Sequence, residues 1–352
     1  MTRDEFSPRQ LLALLTVALS APLAIVCSGA GWLWVLTAAA LAGVFYLLIA
    51  YAVRELPSGL GYAGMLSRAY GKWAGRVLAG LYWVWLALGA ARAGRMAELA
   101  FPGGQGFPLI PLVLLVVAAL TAAKSTASVC RFGGVLYLFV AALLVFTLAF
   151  GAANVEIQNL RPVGEPSELA GPLSVWLLPV VGLFLLDRMD GSRRKWGRWY
   201  LLAAGLAVAL SLVCTGALSL PLAKQAANPF WMMSRSISVL GVMERFEALI
   251  SALLSLGFCC LIALLLAAGR KAMRRARPEL GEKAEMWWTF GASVVLLWIV
   301  DVIPWRVYVC GDVIFWGIVP VVTLGIVVKK EIEKNRKKGL TKEGEGGKIF
   351  ER

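Results

Sequence analysis

Ten apolar segments alternate with short polar segments along the chain, and this alternation predicts a membrane protein. A helix needs about 20 consecutive apolar residues to cross the roughly 30 Å hydrocarbon core of a bilayer. Lipid offers no hydrogen-bond partner to an unpaired backbone, so each crossing must be helical or part of a closed barrel. The pattern therefore predicts ten transmembrane helices, at residues 9–28, 32–53, 76–98, 108–123, 132–152, 172–187, 199–219, 243–268, 285–303 and 311–328.

Lysine and arginine are concentrated in every second polar segment. If the N-terminus is cytoplasmic, 28 of the 35 basic residues fall in cytoplasmic segments and only four fall in outer segments. Short loops rich in basic residues remain in the cytoplasm during membrane insertion. The asymmetry predicts an even number of crossings with both termini in the cytoplasm.

Composition supports the same class and excludes several others. Hydrophobic residues make up 59% of the chain and charged residues 16%, which is not the composition of a soluble domain. The net charge of +14 is explained by topology and by attraction to anionic lipid, so we expect the lipid bilayer as partner and no nucleic acid. We expect one transmembrane domain at residues 1–328 and a basic cytoplasmic tail at residues 329–352.

Catalytic and metal-binding patterns are missing from the sequence. The chain has no histidine, and its six cysteines show no paired spacing typical of a metal site. No P-loop, nucleophile–base set or dinucleotide-binding glycine motif is present. We therefore expect no enzyme activity, no cofactor and no metal, and we interpret the cysteines as small packing residues.

Two prolines lie inside apolar segments at matching positions of the chain. Pro22 is in span one and Pro179 is in span six, the first helices of two possible five-helix halves. Proline removes a backbone donor, and inverted-repeat transporters bind ligands where such helices are broken. The small residues Ser20, Ala21 and Gly182 would let a ligand approach, so all five are candidate ligand-binding residues. An ordinary helix kink is the alternative.

Charged residues near the outer ends of spans three and eight form a second candidate cluster. Charges in a membrane are costly and usually face protein or water. We interpret the cluster as an ion-pair network that holds the two helix ends together, with direct ligand contact as the alternative. Its members are Arg92, Arg95, Glu98, Glu244, Arg245 and Glu247.

Four aspartates, by contrast, fall at the ends of predicted spans. At such positions we expect them to be solvated or among lipid headgroups. They are Asp187, Asp190, Asp301 and Asp312.

Several short motifs occur in order along nearly the whole chain. They are Ser-Pro-Arg-Gln at 7–10, Gly-Lys-Trp-Ala-Gly at 71–75, Asn-Leu-Arg-Pro at 159–162, the segment 229–237, and Glu-Arg-Phe-Glu at 244–247. Each motif is weak alone, but in their order and spacing they resemble the B subunit of spore germinant receptors, the GerAB-type proteins.

The resemblance implies a fold and a function. The fold would be that of the amino acid-polyamine-organocation superfamily: an all-α membrane protein of about ten transmembrane helices, in a 5+5 inverted repeat of the LeuT type, with helices one and six broken. The protein would sense a nutrient such as an amino acid between spans one and six, with spans three and eight lining the cavity. It would act beside receptor A and C subunits in the inner membrane of the spore. A secondary transporter for an amino acid or related solute is the alternative function.

Overall fold

The computed structural model of the chain is built from helices. It describes residues 5–56, 60–101, 109–161, 164–189, 196–236 and 246–346. Within these ranges the α-helices are α1 (Pro8–Ser28), α2 (Trp32–Arg54), α3 (Tyr62–Tyr70), α4 (Lys72–Glu98), α5 (Leu109–Lys124), α6 (Thr126–Ala152), α7 (Ala170–Leu177), α8 (Trp196–Leu218), α9 (Leu220–Gln225), α10 (Pro229–Ser236), α11 (Phe246–Ala276), α12 (Glu282–Leu296), α13 (Trp305–Asp312) and α14 (Val319–Gly346).

Eight helical stretches of the described residues are long and apolar enough to cross a bilayer. The helix α5 is apolar but shorter, with 16 residues, and α12 corresponds to predicted span nine. Together these helices match the ten predicted spans, and the chain is a multi-pass membrane protein. The eight stretches are Pro8–Ser28, Trp32–Arg54, Lys72–Glu98, Thr126–Ala152, Pro166–Arg188, Trp199–Leu218, Glu247–Ala276 and Trp305–Lys334.

The boundaries of spans eight and ten differ from the predicted ones in ways that matter below. Span ten begins at Trp305, with Pro304 as N-cap, and not at residue 311. Its last helix, α14, continues to Gly346, so the predicted tail begins inside a helix. Span eight continues to Ala276, well past residue 268, because long basic side chains at a helix end can bury their stems and keep their charges in water.

Polar residues fix where the helices begin on one side of the bundle. Ser7 and Gln10 form a reciprocal capping box at the start of α1, and the Ser125 hydroxyl accepts the Ser128 N–H at 3.1 Å at the start of α6. Gly71 has φ of +88°, a left-handed conformation that turns the chain sharply from α3 into α4. We call this the basic side, because the helix ends there carry Lys72, Lys124 and the cluster from Arg270 to Arg277.

The core of the bundle is formed by α1 and α11, which pack against each other and against α4 and α6. Small residues allow the close approach. A Cβ atom on Gly257 of α11 would lie 2.8 Å from the Ala21 Cβ and 3.0 Å from the Ser20 hydroxyl of α1. A Cβ on Gly133 of α6 would lie 2.6 Å from the backbone of Leu14. Such contacts are the usual basis of helix association in membranes.

The two prolines affect their helices differently. Helix α1 runs through Pro22 without interruption, so the break expected in span one is not present in this structure. Span six changes its winding next to Pro179: α7 ends at Leu177 and a 3₁₀ segment continues from Leu178 to Arg188. Eleven residues is long for a 3₁₀ helix, whose hydrogen bonds are poorly aligned.

A loop carboxylate fixes the opposite side of the bundle. The Gly31 N–H at the start of α2 donates to Glu168 Oε2 at 2.7 Å, and Glu168 also pairs with Lys224. The side chain of Glu168 is only 11% exposed. Glu168, near the start of span six, therefore caps span two and pairs with α9, the short helix that follows span seven.

Candidate functional site

A buried ion pair joins span three to span ten. The Arg92 Nη1 atom on α4 lies 3.0 Å from Asp312 Oδ2 at the end of α13. The Arg92 side chain is 14% exposed and the Asp312 side chain 5%. The prediction that Asp312 lies among solvent or headgroups is therefore wrong. Because span ten starts at Trp305, Asp312 is two turns inside the helix.

Both carboxylate oxygens of Asp312 accept further hydrogen bonds. Oδ1 accepts the indole N–H groups of Trp85 at 3.2 Å and Trp316 at 3.1 Å. Oδ2 accepts the Ser174 hydroxyl from span six in addition to Arg92. A buried charge is tolerated when it is paired and hydrogen-bonded in this way. The network ties spans three, six and ten to one carboxylate.

The Arg92 guanidinium also lies over two aromatic rings. Its central carbon lies 4.4 Å from the centre of the Trp305 ring and 4.8 Å from the centre of the Tyr308 ring. Both distances are within the range of cation–π attraction. The Tyr308 hydroxyl donates to the Val300 carbonyl at 2.8 Å, which fixes its ring.

The helices wind irregularly next to Ser174 and Asp312, the two residues that accept hydrogen bonds from Arg92. Ser174 lies one turn before the 3₁₀ segment of span six, and a π-helical segment, Val313–Ile318, follows Asp312 directly. Short π segments inside helices are frequent at functional sites, and long 3₁₀ stretches often mark hinges. The windings of spans six and ten therefore change where the two spans meet the ion pair.

A small cavity borders this network. Its volume is about 40 Å³, and the network side chains Arg92, Ser174 and Asp312 line it together with Pro22 of span one. A water molecule needs about 10–15 Å³ on this measure, so the cavity can hold a few waters and no amino acid. In this conformation the charged groups at the cavity are paired with each other.

A cluster of aromatic rings separates this cavity from the basic side. The Tyr82 hydroxyl donates to the Phe315 carbonyl at 2.7 Å, and it lies 2.9 Å from the Tyr62 hydroxyl. The Phe184 ring packs edge-on against both tyrosines, at centroid distances of 5.0 and 5.4 Å. Trp316, which lines the cavity, packs against Tyr82 at 5.8 Å. We call Tyr62, Tyr82, Phe184, Phe315 and Trp316 the aromatic barrier.

Of the five predicted ligand-binding residues, Pro22 alone lines this cavity. Ser20 and Ala21 pack against Gly257, and the Ser20 hydroxyl donates to the Val17 carbonyl at 2.7 Å. Pro179 and Gly182 are buried in the 3₁₀ segment, just beyond the cavity wall at Leu178. A ligand-binding role for these four stays a prediction.

The predicted charge cluster is divided by the structure. Arg92 binds Asp312, while Arg95 pairs with Glu98 on its own helix at 2.8 Å and with Asp301 at 3.0 Å. The span-eight members Glu244 and Arg245 lie outside the described residues, and Glu247 is in the first turn of α11. The network identified here thus runs from span three to span ten, and its extension to span eight stays a prediction.

Three residues that complete the site were not predicted from the sequence. Ser174, Tyr308 and Asp312 come from segments far apart in the chain, and neither charge nor proline marks Ser174 or Tyr308. One signal was available for Asp312. Pro304 followed by tryptophan is a plausible helix start, and a helix beginning there places Asp312 well inside the membrane.

The arrangement defines the class of the protein: a polytopic membrane protein with irregularly wound helices around a central cavity. The chain is similar in structure to MhsT, in a crystal structure with L-phenylalanine, with a TM-score of 0.51 and 12% sequence identity. The likeness covers 93% of this chain and 87% of MhsT. At this identity it concerns the fold alone, and it confirms the predicted LeuT-type fold of two five-helix halves.

The particular family follows from the sequence comparison. Residues 12–278 match the family of spore germination proteins, also described as spore permeases. The match covers well over half of the chain, and the protein belongs to this family. A comparison with curated proteins found no match.

Proposed function

We propose that this protein is the multi-pass membrane subunit of a nutrient germinant receptor and that it senses an amino acid to start spore germination. Membership of the spore germination protein family and the LeuT-type fold support the proposal. In this proposal the protein acts beside A and C receptor subunits in the inner membrane of the spore. Both of its termini lie in the cytoplasm, as the distribution of basic residues indicates.

The observation that carries the proposal is the buried Arg92–Asp312 pair at the small cavity. An amino acid at neutral pH carries one carboxylate and one ammonium group. Its carboxylate can take the place of Asp312 at Arg92, in the forked geometry that guanidinium groups favour. Its ammonium can take the place of Arg92 at Asp312. The pair therefore has the charges that a zwitterion requires.

Ligand entry in this proposal requires the pair to separate. A cavity of about 40 Å³ has no room for an amino acid beside the closed pair, so binding displaces span ten from span three. The ligand gains two charged partners, and the protein gives up one ion pair. Because the ligand interacts differently with the closed and open states, it shifts the balance between them.

In this proposal, contacts between α14 and α3 transmit a movement of span ten to partner subunits. On the basic side, Glu331 of α14 pairs with Arg68 of α3, and Lys330 donates to the Arg68 and Ala69 carbonyls, each at 2.9 Å. Helix α14 continues beyond these contacts to Gly346. Displacement of span ten would strain this contact between α14 and α3, and the protruding end of α14 would present the change to a neighbouring subunit.

The alternative function, secondary transport, makes a different prediction. A transporter of this fold carries its solute across the membrane in response to a gradient, whereas a receptor only needs to bind it. Uptake of labelled amino acids into proteoliposomes distinguishes the two. Saturable, gradient-driven uptake would contradict the receptor proposal.

Germination of spores tests the proposal. A deletion strain that lacks paralogous receptors would be complemented with the parent protein, with Asp312→Asn, or with the control Asp301→Asn, and exposed to single amino acids. We expect the parent and the control to germinate with at least one amino acid, and Asp312→Asn to lose that response at equal protein abundance. Failure of the parent to restore a response to any nutrient, with the A and C subunits present, would overturn the proposal.

A further inference from the structure

A second and much larger cavity opens on the basic side of the bundle. Its volume is about 570 Å³, and it lies beyond the aromatic barrier, whose Phe184 forms part of its wall. Among the residues that the structure describes, seven basic and two acidic side chains line it. We call this cavity the basic vestibule; its charged residues are Lys124, Asp187, Arg188, Arg270, Lys271, Arg274, Arg275, Glu282 and Lys283.

Topology alone does not explain this concentration of charge. Membrane insertion requires basic residues on the cytoplasmic side, but it does not require them to line the same concave surface. These seven come from three separate segments of the chain: the end of α5, the end of span six, and the end of α11 with the start of α12. The fold brings them together.

The acidic side chains of the vestibule already have basic partners. Asp187 pairs with Lys271, and Glu282 accepts the Arg274 guanidinium at 2.6 Å. Arg275 donates to the Ser67 hydroxyl at 2.6 Å, which is a neutral acceptor. Arg274 also pairs with the buried Glu285 at 3.0 Å. Among the described residues that line the vestibule, basic side chains nevertheless outnumber acidic ones, so the cavity carries a net positive charge.

Three helix N-termini add to this positive potential. The helices α3, α6 and α12 all begin at the vestibule wall, at Gly61, at Ser125 and Thr126, and at Glu282. The N-caps of α3 and α12 are glycines, which provide no side chain to accept the first backbone N–H groups. Helix N-termini carry a partial positive charge and free N–H donors, which favour anions.

Basic side chains on the vestibule wall lie close enough in sequence to repel one another. On α11, Arg270 and Arg274 are four residues apart, as are Lys271 and Arg275, and like charges at this spacing repel each other. A bound anion would relieve this repulsion. Because such an anion binds the folded protein only, it would also stabilise the fold.

An exposed tryptophan in the wall indicates that the vestibule opens near the lipid headgroups. Trp287 lines it and is 56% exposed, and tryptophans concentrate at the boundary between hydrocarbon and headgroups. Lys124 and Lys283 are exposed at the rim. A group that carries negative charge can thus reach the vestibule either from solution or from a neighbouring lipid.

We propose that the basic vestibule binds a phosphate group, supplied by a soluble phosphate or by the headgroup of an anionic lipid. The site is separated from the Arg92–Asp312 cavity by the aromatic barrier, and the inference does not depend on the proposed function. Guanidinium and ammonium groups combined with helix N-termini are the chemistry by which proteins recognise phosphate.

Titration of the purified full-length chain with inorganic phosphate tests the soluble source. The protein would be kept in neutral detergent at constant ionic strength, with chloride as the replaced ion, and binding followed by calorimetry and by the thermal unfolding midpoint. The vestibule variant is Lys124→Gln/Lys283→Gln. Its matched control is Lys72→Gln/Lys329→Gln, which removes two exposed lysines from the same side outside the cavity.

We expect phosphate to raise the unfolding midpoint of the parent and of the control equally. The vestibule variant should bind phosphate about tenfold more weakly, because two of the basic side chains are lost. In nanodiscs, phosphatidylglycerol should compete with phosphate in the parent, whereas phosphatidylcholine should not. Equal phosphate affinity in the parent and the vestibule variant would overturn the proposal. The absence of binding by both phosphate and phosphatidylglycerol would also overturn it.

Discussion

Asp312 is stable inside the membrane bundle because both of its carboxylate oxygens accept hydrogen bonds. Arg92 and Ser174 bind one oxygen, and the two indole groups of Trp85 and Trp316 bind the other. The sequence indicated that Arg92 needs a partner, since an unpaired charge in a membrane span is costly. It could not indicate which acid, because the two residues are 220 positions apart.

Removal of the Asp312 charge tests the energetic role of the pair. Asp312→Asn keeps the shape of the side chain but leaves the buried Arg92 without a counter-charge. We expect a loss of about 3–5 kcal/mol in the free energy of unfolding in mixed micelles. The control Asp301→Asn acts on an acid that is 63% exposed, and it should cost less than about 1 kcal/mol. Equal losses of unfolding free energy in the two variants would show that the buried pair contributes no more to stability than the exposed acid does.

Gly311 allows span three to approach span ten at the site. A Cβ atom at this position would lie 2.0 Å from the Trp85 ring, so Gly311→Ala must displace the indole that binds Asp312. We expect a cost of about 1–3 kcal/mol from overpacking. Gly291→Ala on α12 is the control, because open space surrounds that glycine, and alanine should there be neutral or stabilising. The thermal unfolding midpoints of the purified variants measure the difference, and an unchanged midpoint for Gly311→Ala would contradict the contact.

At the scale of helices, the prolines predicted breaks in spans one and six, and the winding changes only in span six. Pro179 stands at the junction of α7 and the 3₁₀ segment, whereas α1 continues through Pro22. A proline removes one backbone hydrogen bond, and the neighbouring helices decide whether the helix then changes. Helix α1 is enclosed by α6, α8 and α11, which restrict its path. The π segment of span ten follows Asp312, contains Gly317 and ends just before Pro320, but these residues were not interpreted as signals of a change in winding.

Glu168 should be important for the packing of span two. Its carboxylate caps the N-terminus of α2 through the Gly31 N–H and pairs with Lys224. Glu168→Ala removes both interactions, and we expect a loss of about 1–2 kcal/mol in the free energy of unfolding. Glu156→Ala is the control, because that carboxylate is exposed in the same loop region and bonds only to Gln158 among the contacts described. A loss no larger than that of the control would exclude a capping role.

At the scale of the whole molecule, the alternation of apolar and polar segments predicted the ten spans, because hydropathy acts over entire segments. The same features could not predict the two cavities, which depend on which helix faces meet. Residues that line the vestibule were recognised in the sequence as topology signals only. Their convergence on one concave surface is a property of the fold.

Accessibility of introduced cysteines tests the predicted orientation. In a Cys310→Ser background, Arg306→Cys places a thiol in the first turn of span ten and Lys329→Cys places one at its basic end. A membrane-impermeant maleimide applied to intact cells should label position 306 and should label position 329 only after the membrane is opened. The reverse pattern would place both termini outside and would contradict the charge-based topology.

The central claim is that a zwitterionic amino acid replaces the Arg92–Asp312 ion pair. Calorimetric titration of the purified protein with the amino acid that triggers germination, with its N-acetyl derivative and with its carboxamide tests this claim directly. The derivatives remove the ammonium charge and the carboxylate charge respectively. We expect each to bind at least about tenfold more weakly than the parent amino acid, because a buried protein charge is then left unpaired. Equal affinity for the amino acid and both derivatives would contradict the claim.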